Sequence, residues 1–401
     1  MVSDIVEALS SLKDAYTEFL QGLIRAPSLR GGEAACQHIV EDKMVALGLE
    51  VSKVYSRDDA QSVNLAARIK GAGAGAGGRS LALNAHADIT PVEGVWTRPP
   101  YDAVVEDGII YGRGAQDDKA GIAVILMVAE CLQKLGIRLK GDLILHVVVD
   151  DETSGDGSLS LVNAGYGAEG IVICDGTWPE RIIYGHLGQL WLDVSISGTA
   201  VAACVEHRGV NPIYLGCEFI ERLRAWINDV SSSSKSFGSV DKPGFVNVGS
   251  FHSGVWHGSV PAEASLQIQI GFGPELQPSE VLRIVKQIAS DISDRIDVRQ
   301  GFLETPAVMV PSDSELISKL KPIVEKNSGK EVRTQTVTGH CDMRHFRTNN
   351  ICLYGPGAGW NPHGIDECYR LSDMPVVARN LVELVIAWCE IASEQSGSLS
   401  S

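Results

Sequence analysis

The chain repeatedly passes through a short apolar run and then delivers an acidic or imidazole side chain. Leu81-Ala82-Leu83 leads to His86 and Asp88, the run 143–149 leads to Asp150, Asp151 and Glu152, and Ile171-Val172-Ile173-Cys174 leads to Asp175. Apolar runs of this length, bounded by turn residues, read as buried strands. Segments with helical spacing lie between them. Ile5, Leu9, Leu12, Tyr16, Leu20 and Leu23 recur at helical intervals before Pro27, and further helices are expected at 33–47 and 119–136. Strands alternating with helices predict a layered α/β sheet. Ligands in such sheets collect at the carboxyl ends of strands, which is where these polar residues fall.

The pattern changes after about Gly188. Leu190, Leu192, Val194 and Ile196 alternate with more polar residues, as in a half-buried strand. A helix at 211–229, strands at 245–252 and 263–270, and a helix at 279–296 are expected to follow. This β-α-β-β-α set predicts a smaller α+β domain of its own. The expected layout is an α/β domain with a mixed central sheet flanked by helices, in two parts (1–186 and 300–401), interrupted by an inserted domain at 187–299. A length of 401 residues suits two domains. The tract GAGAGAGG at 71–78 contains a formal G-x-G-x-x-G at Gly73, Gly75 and Gly78. A dinucleotide loop needs a helix after it, and here a strand follows, so the tract reads as a flexible hairpin connection.

Charge narrows the partners. With 34 Lys and Arg against 50 Asp and Glu the net charge is −16, which repels phosphate backbones and anionic lipid and argues against nucleic acid and membrane surfaces. A small anionic substrate held by a local Arg stays compatible with it. The longest apolar run, AGIAVILMVA at 120–129, is too short to span a bilayer. Nine cysteines are scattered from Cys36 to Cys389 without a C-x-x-C, the usage of buried thiols in a reducing compartment. Asp4 and Glu7 stand where a leader would be basic, so the first segment reads as an amphipathic helix and the expected location is the cytoplasm.

The polar clusters each allow two readings when taken singly. In His86-x-Asp88 the Asp can accept the imidazole N–H and turn the other nitrogen toward a metal, or simply partner a His that ends a strand. Asp117 and Asp118, in YGRGAQDDKAG, are metal ligands or a charged cap on the following helix. Asp150, Asp151 and Glu152 repel one another unless cations compensate, or form a solvated acidic loop. His363 lies in the Pro/Gly-rich LYGPGAGWNPHGIDE beside Asp366 and Glu367. Jointly, two His and several carboxylates at strand ends and in glycine loops suit one or two divalent ions: zinc, manganese or cobalt.

In this order the motifs H-A-D, V-E-G-V-W-T-R-P-P-Y, G-R-G-A-Q-D-D-K-A-G, D-D-E-T-S-G-D-G-S, G-V-N-P-I, V-P-A-E-A and G-P-G with the late His363 cover nearly the whole chain. The chain thereby resembles the dinuclear metallohydrolases that include acetylornithine deacetylase, succinyl-diaminopimelate desuccinylase, carboxypeptidase G and the aminoacylases. The resemblance implies a catalytic domain interrupted by a lid that often dimerises, hence a homodimer or higher homo-oligomer. It implies that His86, Asp117 and Asp175 hold one metal, and that Asp117 bridges to a second held by Glu152 and His363. Asp88 would orient His86, and Asp151 would be the general base for a metal-activated water. Arg344, in GHCDMRHF, falls where a substrate carboxylate is bound, and Asn211 of G-V-N joins the expected substrate-binding residues.

Two positions depart from that pattern. The base is usually Glu, and Asp151 is shorter by one methylene, roughly 1 Å of reach. A His about nine residues before the Asn of G-V-N usually stabilises the oxyanion, and that register gives Ala202. Loss of such a donor typically costs on the order of 100-fold. His186 and His207 are the candidates to replace it, and they read equally well as a strand-edge His and a surface His near Glu206. The expected reaction is hydrolysis of the amide of an N-acyl amino acid or dipeptide-like, carboxylate-bearing substrate. The alternative is hydrolytic deamination of an amino-substituted, electron-poor aromatic acid, as in the nitroanthranilate aminohydrolase-like branch. A non-catalytic metal-binding relative is a third reading, but it would lose ligands first, and all five positions carry competent residues.

Overall fold

The structure is a computed structural model and describes residues 1–56, 62–72, 78–176, 178–233 and 242–392. Gly73 and Gly75 of the glycine tract, and Thr177, lie outside the described residues. The chain opens with α1 (Val2–Ile24), α2 (Ala34–Ala46), β1 (Val51–Tyr55), β2 (Val63–Ile69), β3 (Leu81–His86), β4 (Val104–Glu106) and β5 (Ile109–Tyr111). It continues with α3 (Lys119–Lys134), β6 (Leu143–Val148), α4 (Asp156–Leu161), β7 (Gly170–Ile173) and β8 (Arg181–His186). Next come β9 (Gly188–Ser197), α5 (Pro212–Ser233), β10 (Phe245–Ser253), β11 (Glu263–Phe272), α6 (Pro278–Ile292), β12 (Ile296–Thr305) and β13 (Val308–Met309). The last stretch holds α7 (Glu315–Ser328), β14 (Arg333–Val337), β15 (Ile351–Leu353), β16 (Gly359–Trp360), β17 (Cys368–Arg370) and α8 (Asp373–Cys389).

Two compact units result: Met1–Tyr184 with Val310–Gln335 and His345–Ser401, and Gly185–Met309 with Thr336–Arg344. The first is built on a mixed sheet whose order runs β1-β2-β6-β3-β7-β15-β8. Its centre is parallel: β3 pairs in parallel with β6 and β7, and β15 in parallel with β7. The outer pairs β1–β2, β2–β6 and β15–β8 are antiparallel. Every residue of β3, β6, β7 and β15 is buried, as expected of parallel strands covered on both faces. The helix α3 is apolar almost all round and buried through most of its length, because α1, α8 and β3 all pack on it. Its first residue, Lys119, is buried too, and its Nζ donates to the carbonyls of Leu23 at 2.8 Å and Ala26 at 2.9 Å, tying the helix start to the end of α1.

The second unit is a four-stranded antiparallel sheet in the order β10-β11-β9-β12. Alternate residues of β9 and β11 are buried, and Leu192, Val194, Leu266 and Ile268 share a core with Phe219 and Leu223 of α5 and Val281 and Val285 of α6. The expected return to the larger domain at residue 300 falls inside β12. That strand completes the sheet by pairing Ile296–Gln300 and Glu304–Thr305 with β9, so the unit runs on to Met309 and also takes in 336–344. All nine cysteines are free, and only Cys204 and Cys217 are exposed. Among the described residues, no helix is long and apolar enough to cross a membrane.

Candidate metal centre

The parallel strands β6, β3, β7 and β15 point the same way, so their carboxyl ends share one edge of the sheet. Adjacent strands lie about 4.8 Å apart, and that edge receives the polar residues. His86 ends β3, Asp150-Asp151-Glu152 follows β6, Asp175 follows β7, and the chain leaving β15 reaches His363 through a glycine-rich loop. His86 Nε2 lies 3.1 Å from Asp117 Oδ1, His363 Nε2 lies 3.1 Å from Asp117 Oδ2, and His363 Nε2 lies 2.9 Å from Glu152 Oε1. Ligand atoms of His86, Asp117 and Glu152 all fall within 4.8 Å of one another, and so do those of His86, Asp118 and Asp175. Asp117 therefore stands between the two imidazoles, one carboxylate oxygen facing each.

Buried hydrogen bonds hold these loops in place. The Asp88 carbonyl is 3.0 Å from His86 Nδ1, and its carboxylate is 3.4 Å away. The orienting contact is mainly the backbone oxygen. The Asp88 carboxylate instead accepts the backbone N–H groups of Asp151 at 3.3 Å and Glu152 at 3.1 Å. Glu367, fully buried, accepts the N–H groups of Gly114, Gln116 and Asp117 at 3.0, 3.0 and 3.2 Å, and pairs with Arg113 at 2.7 Å. Thr97 bonds Asp366 through its N–H and its hydroxyl, which fastens the 93–98 loop to the loop of His363. Asn361, His363 and Asp366 all take left-handed backbone conformations, at a cost of order 1–3 kcal/mol each. Of the three adjacent acids, Asp150 is paired with Arg30 at 3.2 Å and Glu152 faces His363, which is how their mutual repulsion is relieved.

The electrostatics are those of a cation site. Burial opposes ionisation of Asp117, yet the hydrogen bonds from His363 and His86 outweigh it and hold its carboxyl far below the usual range. Burial likewise opposes charge on His363, but Asp117 and Glu152 raise its pKa to about 11. His86 is raised in the same way, against its burial, by Asp117, Asp88 and Asp151. Burial and the neighbouring Asp175 push Asp118 well above the carboxylate range, and its buried Oδ1 has no hydrogen-bond partner among the described residues. Two imidazoles and a crowd of buried carboxylates that compete for positive charge fit a divalent ion, by donor chemistry and by spacing.

Residues 82–387 fit the sequence profile of peptidase family M20/M25/M40. The chain belongs to that family. It is accordingly a metal-dependent hydrolase of C–N bonds. The M20 chain is 25% identical over 350 residues to an N-formyl-4-amino-5-aminomethyl-2-methylpyrimidine deformylase of Halalkalibacterium halodurans, covering 78% of this chain and 80% of that one. It is 23% identical over 390 residues to a succinyl-diaminopimelate desuccinylase of Polynucleobacter necessarius subsp. necessarius, covering 93% of this chain and 100% of that one. In fold it is similar to the di-peptidase Dug1p of Saccharomyces cerevisiae, with a TM-score of 0.81, 12% identity, and 97% and 99% of the two chains covered.

The remaining candidates of this M20 protein belong to the second unit. His186 ends β8 and is fully buried. Its Nδ1 is 2.8 Å from the Leu187 carbonyl, and its Nε2 has no hydrogen-bond partner among the described residues. Burial, with Arg344 adding to it, lowers its pKa to about 4, so the ring is neutral. Arg344 donates to the Cys341 carbonyl at 3.3 Å and stands 3.9 Å from Asp342. His207 is exposed in a short 3-10 turn at Ala203–Arg208. Asn211 Oδ1 accepts the N–H of Ile213 at 3.0 Å, and so caps the start of α5. Asp118, weighed in the sequence only as one of two adjacent acids, is grouped with His86 and Asp175, and sequence reasoning missed Glu367 and Arg113 as the pair that fixes the Asp117 turn. Adjacency of Glu367 to the His363 loop was the one available signal.

Proposed function

We propose that this chain hydrolyses the amide bond of a small carboxylate-bearing substrate, an N-acyl amino acid or a dipeptide, with one or two divalent ions among zinc, manganese and cobalt. The observation that carries this reading is the grouping of His86 with Asp117 and Glu152 on one side and with Asp118 and Asp175 on the other, with Asp117 between the imidazoles of His86 and His363. A bound divalent cation supplies Lewis acidity and an acidified water. His86, Asp117 and Asp175 would hold one ion, and Asp117, Glu152 and His363 would hold a second. Asp151, positioned by Asp88, takes a proton from the attacking water and returns one to the leaving nitrogen. The free thiols agree with a cytoplasmic setting, and the homodimer rests on the family resemblance alone.

The test is a panel of N-acyl amino acids, dipeptides and amino-aromatic acids, assayed with each of the three metals. Release of amino acid from the amides supports the reading. Turnover of the amino-aromatic acids alone would replace it with hydrolytic deamination, and metal binding without turnover of any substrate would replace it with a non-catalytic role.

A further inference from the structure

Two tryptophans lie three residues along the chain from proposed metal-centre residues, and none of the roles above uses them. Trp178 follows Asp175 by three residues, and Trp360 precedes His363 by three. Successive Cα atoms are about 3.8 Å apart, so each Trp Cα lies within roughly 11 Å of the Cα of a metal-centre residue. The indoles meet edge to face, with centroids 5.9 Å apart and planes at 80°. Arg181 and Arg370 stand 5.5 Å and 5.9 Å from the Trp178 ring centroid, within cation–π range. Arg370 is in turn clamped by both Asp373 oxygens at 2.8 and 2.9 Å. Trp178 is thus held in place without being fully buried. Trp360, on the short strand β16, pairs with Cys368 and remains 40% exposed. Its neighbour Gly359 abuts the side chain of Gln116, the residue before Asp117. A fixed, partly open aromatic pair at this place is a surface prepared for a flat apolar group.

We propose that Trp178 and Trp360 form an aromatic wall that receives a planar ring carried next to the C–N bond of the substrate. This rests on the hydrolytic reading of the metal centre. The ring is either the acyl group of an N-aroyl amino acid or the ring of an amino-aromatic acid. In both cases the oxygen of water bonds to the carbon, the C–N bond breaks, and the nitrogen leaves with a proton.

The test compares kcat/KM for N-benzoylglycine and N-acetylglycine in the metal-loaded protein and in Trp178→Ala, Trp360→Ala and the two Phe variants. The alanine variants are expected to lose about tenfold on the benzoyl substrate, through KM, and less than twofold on the acetyl substrate. The Phe variants are expected to restore most of the loss. Equal losses on both substrates, or none on either, overturn the proposal. A second readout needs no turnover: 4-nitrobenzoate is expected to quench tryptophan fluorescence saturably, about tenfold more weakly in the alanine variants. Benzoate release from benzoylglycine assigns the ring to the acyl group, and ammonia release from an aminobenzoate assigns it to the amine-bearing carbon. Saturable, variant-sensitive quenching without any hydrolysis leaves the wall standing and removes the hydrolytic reading. Hydrolysis of acetylglycine with no quenching and no selectivity does the reverse.

Discussion

His363 combines a left-handed backbone, a half-exposed side chain and contacts to two carboxylates. A residue held at such a φ costs about 1–3 kcal/mol, and the loop retains it because Thr97 and Asp366 fasten the neighbouring backbone. His363→Ala should remove both the metal and the activity while the fold persists, which elemental analysis and circular dichroism will show together. Asp151→Asn should keep fold and metal and lose at least about 100-fold in turnover. Full turnover in that variant would remove Asp151 as the base. Glu367 acts at a distance from the chemistry. Glu367→Gln leaves Arg113 buried without its partner and should cost about 3–5 kcal/mol in urea unfolding. At this scale the polar clusters at the ends of apolar runs and in glycine loops were legible, and the proposed set of His86, Asp117, Glu152, Asp175 and His363 came from the family resemblance. Glu367 was not legible, because its role comes from backbone N–H groups some 250 positions away, and no local pattern records such a bond. The choice between Asp117 and Asp118 was equally hidden, since adjacent acids look alike until their burial and neighbours are known.

Most elements could be read because periodicity is a local property. The helix expected at 119–136 appears as Lys119–Lys134, and that at 33–47 as Ala34–Ala46. The end of the inserted unit could not be read, because β12 belongs to its sheet only through pairing with β9, about a hundred residues earlier. Inside the first sheet, β6 buries His146, whose Nε2 is 2.8 Å from the Tyr166 carbonyl and whose ring stacks on Phe346. Burial lowers its pKa to about 4, against the Tyr166 bond. The unfolded chain protonates this ring near pH 6.5 and the folded chain does not. Its stabilising contribution is therefore complete above pH 6.5 and lost as pH falls through about 4, a total of order 3 kcal/mol. Thermal melts across that window should show the decline, and His146→Gln should flatten it.

For the whole molecule, metal and folding are linked. A ligand that binds only the native state stabilises it by about 2.7 kcal/mol at a hundredfold excess over Kd. A chelator should therefore lower Tm by several degrees and abolish turnover, and added zinc, manganese or cobalt should restore both. Calorimetry alongside an activity assay will check this. On the proposed ligand set, His86 and His363 would have to lose their protons to bind metal, so metal uptake should release protons, visible as a buffer-dependent binding enthalpy. The edge formed by β6, β3, β7 and β15 adds a consequence in time. A ribosome delivers His86, Asp117, Glu152 and Asp175 early, then makes the entire second unit before β15 can dock beside β7 and bring His363 home. A nascent chain stalled short of that strand carries the acids and the His86 imidazole but not His363, so on the proposed ligand set the second of the two cation positions stays incomplete until synthesis reaches that loop.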